Sequence, residues 1–121
     1  MTTLDTEHLL ERAAAGDAAA RDQLLQRHRR RLRRMVAVRF DPRLAARVDP
    51  SDVVQESLAE AAANLDRYLR DRPLPFYPWL RQLAQRRLID LHRRHVQARR
   101  RSVTREVGPM GLPDHSALLP G

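Results

Sequence analysis

Two short stretches of this chain carry side chains that could bind other molecules. The stretch from Phe76 to Arg94 combines aromatic rings, an amide and several guanidinium groups. Aromatic rings stack on unpaired bases, and arginine forks bind phosphates. This mixture favours single-stranded or locally melted DNA over an intact groove, although lone aromatic side chains also commonly pack into a core. The candidate nucleic-acid contacts are Phe76, Tyr77, Trp79, Gln82, Arg86, Arg93 and Arg94.

The other stretch is acidic and includes Asp52, Gln55 and Glu56. Asp49 is a suitable N-cap and Pro50 suits the first helical position, so a helix is predicted to begin here. The three polar side chains would then cluster near the positive end of the helix dipole. A capping role for Asp52 is the plainer interpretation, and it is compatible with a partner contact.

The composition predicts an all-α fold, a compact bundle of about four helices. Only 4 of the 121 residues are Gly, and residues 17–107 contain none, while Ala, Leu and Arg dominate. A composition of this kind argues against a sheet-based nucleic-acid module. Apolar spacing and helix breakers define the elements. The predicted helices run from Thr6 to Gly16, from Ala18 to Arg39, from Pro50 through Leu65 and from Phe76 to Arg99, with a proline-rich loop over residues 70–78.

The helical pattern decays after Arg101. Gly108, Pro109, Gly111 and Pro113 interrupt the remaining sequence, which has no apolar periodicity. We therefore expect a helical domain over residues 1–101. Residues 102–121 would be an irregular tail or linker, too short and irregular to form a second DNA-binding domain.

Arginine supplies all of the positive charge, since the chain has 23 Arg, no Lys and a net charge of +8. Residues 27–47 and residues 81–105 each contain 9 Arg and one Asp. Between them, residues 48–66 contain 5 acidic residues and no Arg. Basic blocks separated by an acidic one predict two kinds of partner surface, whereas solvated helix faces are the plainer interpretation.

Several classes of protein are disfavoured by what the sequence lacks. The absence of Cys excludes disulfides and cysteine-bound zinc and is typical of intracellular proteins. There is no membrane-spanning apolar run, no signal peptide, no Gly-rich phosphate loop and no nucleophile motif. His92 and His95 lack further metal ligands of suitable spacing. We therefore expect a cytoplasmic protein that is not an enzyme and needs no metal or cofactor.

The two stretches together resemble region two of an extracytoplasmic-function sigma factor of the sigma-70 family. Asp52-Val53-Val54-Gln55-Glu56 is similar to the family's Asp-x-x-Gln-Glu/Asp signature. Phe76-x-x-Trp79-Leu80, followed by Ala84, Asp90 and Arg93-Arg94, is similar to its Phe-x-x-Trp-Leu…Ala-x-Asn-x-x-x-Asp-x-x-Arg pattern. The Gly16-Asp17 joint also fits the family's opening, so the resemblance covers about residues 6–101.

The resemblance implies a role for each stretch in transcription initiation. Asp52, Gln55 and Glu56 would bind the clamp helices of the largest subunit of core RNA polymerase. The aromatic and basic stretch would recognise and melt the minus-ten promoter element by holding its non-template strand. The loop over residues 70–78 occupies the place of the family's base-capturing loop. An anti-sigma factor is a further partner that the resemblance allows.

Two departures from the family pattern bear on these roles. Arg86 stands where the family often has Asn, which changes the expected base preference, because Arg favours guanine or phosphate and Asn favours adenine. The family's second domain, which reads the minus-35 element, has no counterpart in residues 102–121. Two alternatives remain open: a non-specific arginine-rich nucleic-acid-binding module, and a protein-binding regulator that mimics a sigma domain.

Overall fold

The computed structural model describes the backbone of residues 3–107 and the side chains of residues 6–101. Within this part of the chain every regular element is an α-helix, which confirms the all-α prediction. None of these helices is both long and apolar enough to cross a membrane. The helices are α1 (Thr3–Ala14), α2 (Ala18–Arg27), α3 (Arg29–Arg39), α4 (Pro50–Ala63), α5 (Leu65–Asp71) and α6 (Phe76–Val107).

The chain divides into two units, residues 1–88 and residues 89–121, with the boundary inside α6. The first unit contains α1 to α5 and the first turns of α6. The second unit contains the rest of α6, which is described up to Val107. The expected division into a domain over residues 1–101 and a tail over residues 102–121 stays a prediction, and residues 108–121 lie outside the described part.

The joint between α1 and α2 is built as the Gly16-Asp17 pair predicts. Gly16 has a φ of +95°, which a glycine adopts without steric cost. Asp17 caps α2, because its Oδ1 accepts a hydrogen bond from the Ala20 N–H at 3.1 Å. Arg12 Nη2 donates to Asp17 Oδ2 at 2.6 Å. This hydrogen bond, with that from Ala20, lowers the pKa of Asp17 because both favour the charged carboxylate.

Two of the four predicted helices are each interrupted at one residue. His28 separates α2 from α3 with φ −102° and ψ 4°, and Asn64 separates α4 from α5 with φ −108° and ψ 12°. Both residues lie in the sparsely populated bridge region, where a helix changes direction. The Asn64 side chain donates to the Glu60 carbonyl at 2.8 Å, so it competes with the regular helical ladder.

The core of the first unit is mainly aliphatic, with a group of aromatic rings at one side and one buried serine. Ser57 is fully buried and donates to the Val53 carbonyl at 2.7 Å, which satisfies its polar group. On α4, Val53 is buried and Ala62 is exposed. The largest fully buried aliphatic residues are Leu24, Leu32, Val36, Val53, Val54, Leu65 and Leu80.

Candidate nucleic-acid and partner-binding surfaces

Asp52, Gln55 and Glu56 are all exposed on one side of α4, and we call them the α4 polar face. The helix begins as the sequence predicts. Asp49 is the N-cap, its Oδ1 accepts from the Ser51 N–H at 2.9 Å, and proline follows at the first position. The local sequence therefore fixes where the helix starts, and its buried residues turn these three polar side chains outward.

Two arginines from other helices already contact the α4 polar face. Arg29 Nη2 donates to Gln55 Oε1 at 2.8 Å. Arg87 Nη1 lies 3.1 Å from Glu56 Oε1, and the same guanidinium also reaches Glu60 at 3.2 Å. Exposed pairs of this kind contribute only about 0–1 kcal/mol, so an external partner can replace them.

The predicted aromatic contacts lie in the interior of the first unit. Phe76, Trp79 and Tyr77 are only 3%, 8% and 9% exposed. Tyr68 stacks on Trp79 with ring centroids 4.5 Å apart and meets Phe76 edge-on at 5.5 Å. All three aromatic side chains therefore pack in the core, which is the alternative that the sequence left open. Their contact with nucleic acid stays a prediction.

Tyr77 joins the start of α6 to α3. The guanidinium carbon of Arg31 lies 3.9 Å from the centroid of the Tyr77 ring, a cation–π contact. The Tyr77 hydroxyl donates to the Arg31 carbonyl at 3.5 Å. Arg31 is exposed on α3, so its guanidinium covers the ring from the solvent side.

A cavity of about 760 Å³ lies where α1, the α2–α3 junction, α5 and the start of α6 meet. Its volume is within the range of sites that bind small organic molecules or single bases. The lining combines flat rings with three guanidinium groups and one carboxylate, that of Glu7, which lies 4.0 Å from Arg72. The excess of positive charge suits a ligand with a ring and a negative charge. The lining rings are Tyr68, Phe76, Tyr77 and His28, and the lining guanidinium groups are Arg27, Arg31 and Arg72.

The short loop from Arg72 to Pro75 closes one side of this cavity. Arg72 has φ 40° and ψ 59°, a left-handed conformation that ends α5, and its N–H bonds to the Tyr68 carbonyl at 2.7 Å. The Tyr68 hydroxyl donates to the Leu74 carbonyl at 2.6 Å. The loop is shorter than the predicted 70–78 because helices α5 and α6 extend into both ends of it.

His28 lies half-buried against the aromatic rings. Its ring centroid is 5.5 Å from that of Phe76 and 5.8 Å from that of Tyr77. Burial lowers the pKa of His28 to about 4, and the nearby charges of Arg27 and Arg31 act in the same direction. The imidazole is therefore neutral at physiological pH and packs as an aromatic ring.

The polar candidates on α6 are exposed. Gln82 and Arg86 face solvent in the first unit, and Arg93 and Arg94 face solvent in the second. Asp90 is exposed and makes no ion pair with the side chains of residues 6–101. Unlike the aromatic candidates, the side chains of Gln82, Arg86, Arg93 and Arg94 can contact a ligand without any rearrangement.

The family model of sigma-70 region 2 matches residues 24–99. The chain belongs to the sigma-70 region 2 family. The matched range includes every candidate residue named above on α4 and α6. No match was found among curated proteins or among solved structures.

Membership in the sigma-70 region 2 family implies partners of two kinds, core RNA polymerase and promoter DNA. Region 2 domains are transcription factors and not enzymes. Among the described side chains, no group of three His, Asp or Glu residues could hold a metal ion. Sequence reasoning missed the cavity of this region 2 domain, although a proline-rich loop followed directly by two aromatic residues was a signal for it.

Proposed function

We propose that this chain is the minus-ten-binding domain of an extracytoplasmic-function sigma factor. It binds core RNA polymerase through the α4 polar face and holds the melted non-template strand through α6 and the cavity. The observation that carries the proposal is the exposure of Asp52, Gln55 and Glu56 together on α4, at the spacing of the family's polymerase-binding signature. This role places the protein in the cytoplasm with the polymerase.

Polymerase binding is an exchange of partners on the α4 polar face. Glu56 is paired with Arg87, and Gln55 accepts a hydrogen bond from Arg29. Basic side chains on the clamp helices would replace these internal donors. Because exposed pairs are weak, the exchange costs little, and a partner that brings several cations at once gains from all three side chains.

Strand melting uses the exposed polar groups of α6 and the cavity. Gln82 and Arg86 would contact the strand directly, while Arg93 and Arg94 would hold phosphates farther along the helix. A base turned out of the duplex would enter the cavity against Phe76 and Tyr77, which line it. Unstacking a base costs a few kcal/mol, and stacking on an aromatic ring returns about 1–3 kcal/mol. Trp79 does not line the cavity, so its part would be to support Tyr68 from behind.

The polymerase contact is tested by the double variant Gln55→Ala with Glu56→Ala. Binding to purified core RNA polymerase should weaken at least tenfold while the helical content stays unchanged. The matched control is Asp22→Ala with Gln23→Ala, which removes an exposed acid and an exposed amide from α2. Equal binding of the double variant and the control would contradict the assignment of this surface.

The DNA contact is tested with Arg86→Ala and Arg93→Ala in complex with core polymerase. Both variants should bind a pre-melted promoter more weakly, and Arg93→Ala should mainly reduce the dependence on salt. If both bind melted promoter DNA as the unmodified chain does, the DNA surface lies elsewhere.

A second function is favoured by the arginine content of α3, which has six Arg and no acidic residue. A stand-alone, non-specific nucleic-acid-binding module would need such a surface. It would bind DNA with steep salt dependence and show no preference for polymerase, so co-purification with core polymerase and promoter-dependent transcription separate the two functions. Binding of an anti-sigma factor stays a prediction.

A further inference from the structure

Helix α3 presents a row of arginines that the polymerase and minus-ten contacts leave unused. Arg30, Arg33 and Arg34 are exposed, and we call them the α3 arginine face. No carboxylate among the described side chains forms an ion pair with any of the three. The face is therefore a concentrated positive surface with no internal counter-charge.

The helix is destabilised by this arrangement. Arg30 and Arg34 are four residues apart, and Arg30 and Arg33 are three apart, spacings at which like charges repel on a helix surface. The first turn of α3 contains three Arg and no acidic residue, although the start of a helix favours negative charge. A bound anion would relieve both effects.

The α3 arginine face continues into the cavity through Arg31. This residue belongs to α3, lines the cavity and covers the ring of Tyr77. From Arg30 to Arg34 the helix rises about 6 Å, and a DNA strand advances about 3.4 Å per nucleotide. The face therefore matches about two or three consecutive phosphates of a strand that passes the cavity.

We propose that the α3 arginine face binds the phosphates of the strand whose base occupies the cavity, and that it does so without regard to sequence. The proposal rests on the proposed function for the presence of that strand. The ligand is DNA backbone and not an acidic protein segment, because the face adjoins a cavity lined by rings that suit a base. Arginine forks also bind phosphate in a bidentate way.

The test measures binding of the full chain to a single-stranded oligonucleotide of random sequence, by filter retention, from low to moderate salt. The variant Arg30→Gln with Arg33→Gln and Arg34→Gln should bind about tenfold more weakly at low salt. Its slope of log affinity against log salt should fall by about 2, since each phosphate contact on a single strand contributes about 0.7. The Arg→Lys version at the same positions should keep the slope.

The control for net charge is Arg47→Gln with Arg67→Gln and Arg70→Gln, which removes three exposed arginines elsewhere. Equal slopes for the control and the α3 variant would overturn the proposal. So would displacement of the bound oligonucleotide by less polyglutamate than unlabelled DNA, because the face would then fit an acidic protein better. Arg86→Gln is measured in parallel. If Arg86→Gln alone loses melted-promoter binding, the proposed function stands and only the α3 contact fails. If the chain does not bind polymerase but the α3 variant still has the lower slope, the proposed function fails and the α3 contact stands.

Discussion

The α4 polar face and the α3 arginine face lie on neighbouring helices, but they differ in whether their side chains have partners within the protein. On α4, Glu56 is paired with Arg87, and Gln55 accepts from Arg29. On α3, the exposed side chains of Arg30, Arg33 and Arg34 have no ion pair with the described side chains. Two of the three side chains of the α4 polar face are paired before any partner arrives, and none of the three arginines on α3 forms such an ion pair within the described part of the chain.

This difference determines what each surface gains from a partner. A partner on α4 must displace existing contacts, so its binding free energy is only the difference between the new contacts and the old ones. Such a surface favours selective binding over tight binding. A polyanion on α3 displaces only solvent ions and relieves repulsion, so its gain is large at low salt and falls as salt rises. The following changes test whether the two surfaces really behave in this way, in order of decreasing effect.

Removing the ring at the centre of the aromatic cluster behind the cavity should have the largest effect. Tyr68 packs on Trp79 and Phe76, and its hydroxyl holds the Leu74 carbonyl. Tyr68→Ala should lower the free energy of unfolding by about 3–5 kcal/mol, and Tyr68→Phe by about 1 kcal/mol. Thermal unfolding followed by circular dichroism measures both. A loss under about 1 kcal/mol for Tyr68→Ala would mean that this cluster does not hold the start of α6 and the loop in place.

Acid should destabilise the junction between α2 and α3 through His28. The pKa of His28 is about 4 in the folded chain and 6.5 when exposed. The neutral ring thus contributes fully above pH 6.5, and this stability is lost as the pH falls towards 4. We expect about 1–2 kcal/mol, because partial exposure of the ring reduces the effect.

Unfolding measured between pH 7 and pH 4 tests this expectation. The groups facing His28 are the rings of Phe76 and Tyr77 on α6 and the guanidinium groups of Arg27 and Arg31 on either side of it. His28→Leu should remove the loss of stability in this range, and His8→Leu, at an exposed position, should not. A pH dependence that survives His28→Leu would assign the effect to other groups.

Neutralising the α3 arginine face should stabilise the fold. Arg30→Gln with Arg33→Gln and Arg34→Gln removes several like-charge pairs, each worth about 0.2–0.5 kcal/mol, so we expect a gain of about 1 kcal/mol. The gain should shrink as salt is added, since salt screens exposed charges. Urea unfolding at two salt concentrations measures it. A destabilised variant would show that these arginines have internal partners after all.

The smallest effect belongs to the ion pair on α4. A double-mutant cycle of Glu56→Gln and Arg87→Gln should give a coupling free energy of about 0.2–1 kcal/mol. Breaking this ion pair should destabilise the fold, because an attraction is removed, whereas neutralising the α3 arginine face should stabilise it. A coupling energy of zero would mean that the α4 polar face is no more satisfied than the α3 arginine face.

The sequence predicted those parts of the fold that local chemistry determines. The start of α4 follows from Asp49 and Pro50, and the turn before α2 follows from Gly16 and Asp17. The helix breaks at His28 and Asn64 were missed, because neither residue is a strong helix breaker.

The candidate site was only partly predictable for a similar reason. The exposure of Asp52, Gln55 and Glu56 follows from helix periodicity alone. Their internal partners do not, since Arg29 and Gln55 are separated by 26 residues and Arg87 and Glu56 by 31. Whether Phe76, Tyr77 and Trp79 pack or bind could not be decided from spacing, because it depends on the position of Tyr68 on another helix.

Trp79 is the only tryptophan of the chain, and it stacks on Tyr68 behind the cavity. Its emission spectrum therefore reports on a single, known environment. A ligand that enters the cavity touches Tyr68 but not Trp79, so it should change the intensity of the emission through the stacked ring more than its wavelength. The protein thus carries its own optical probe, and occupancy of the cavity can be followed without attaching a label.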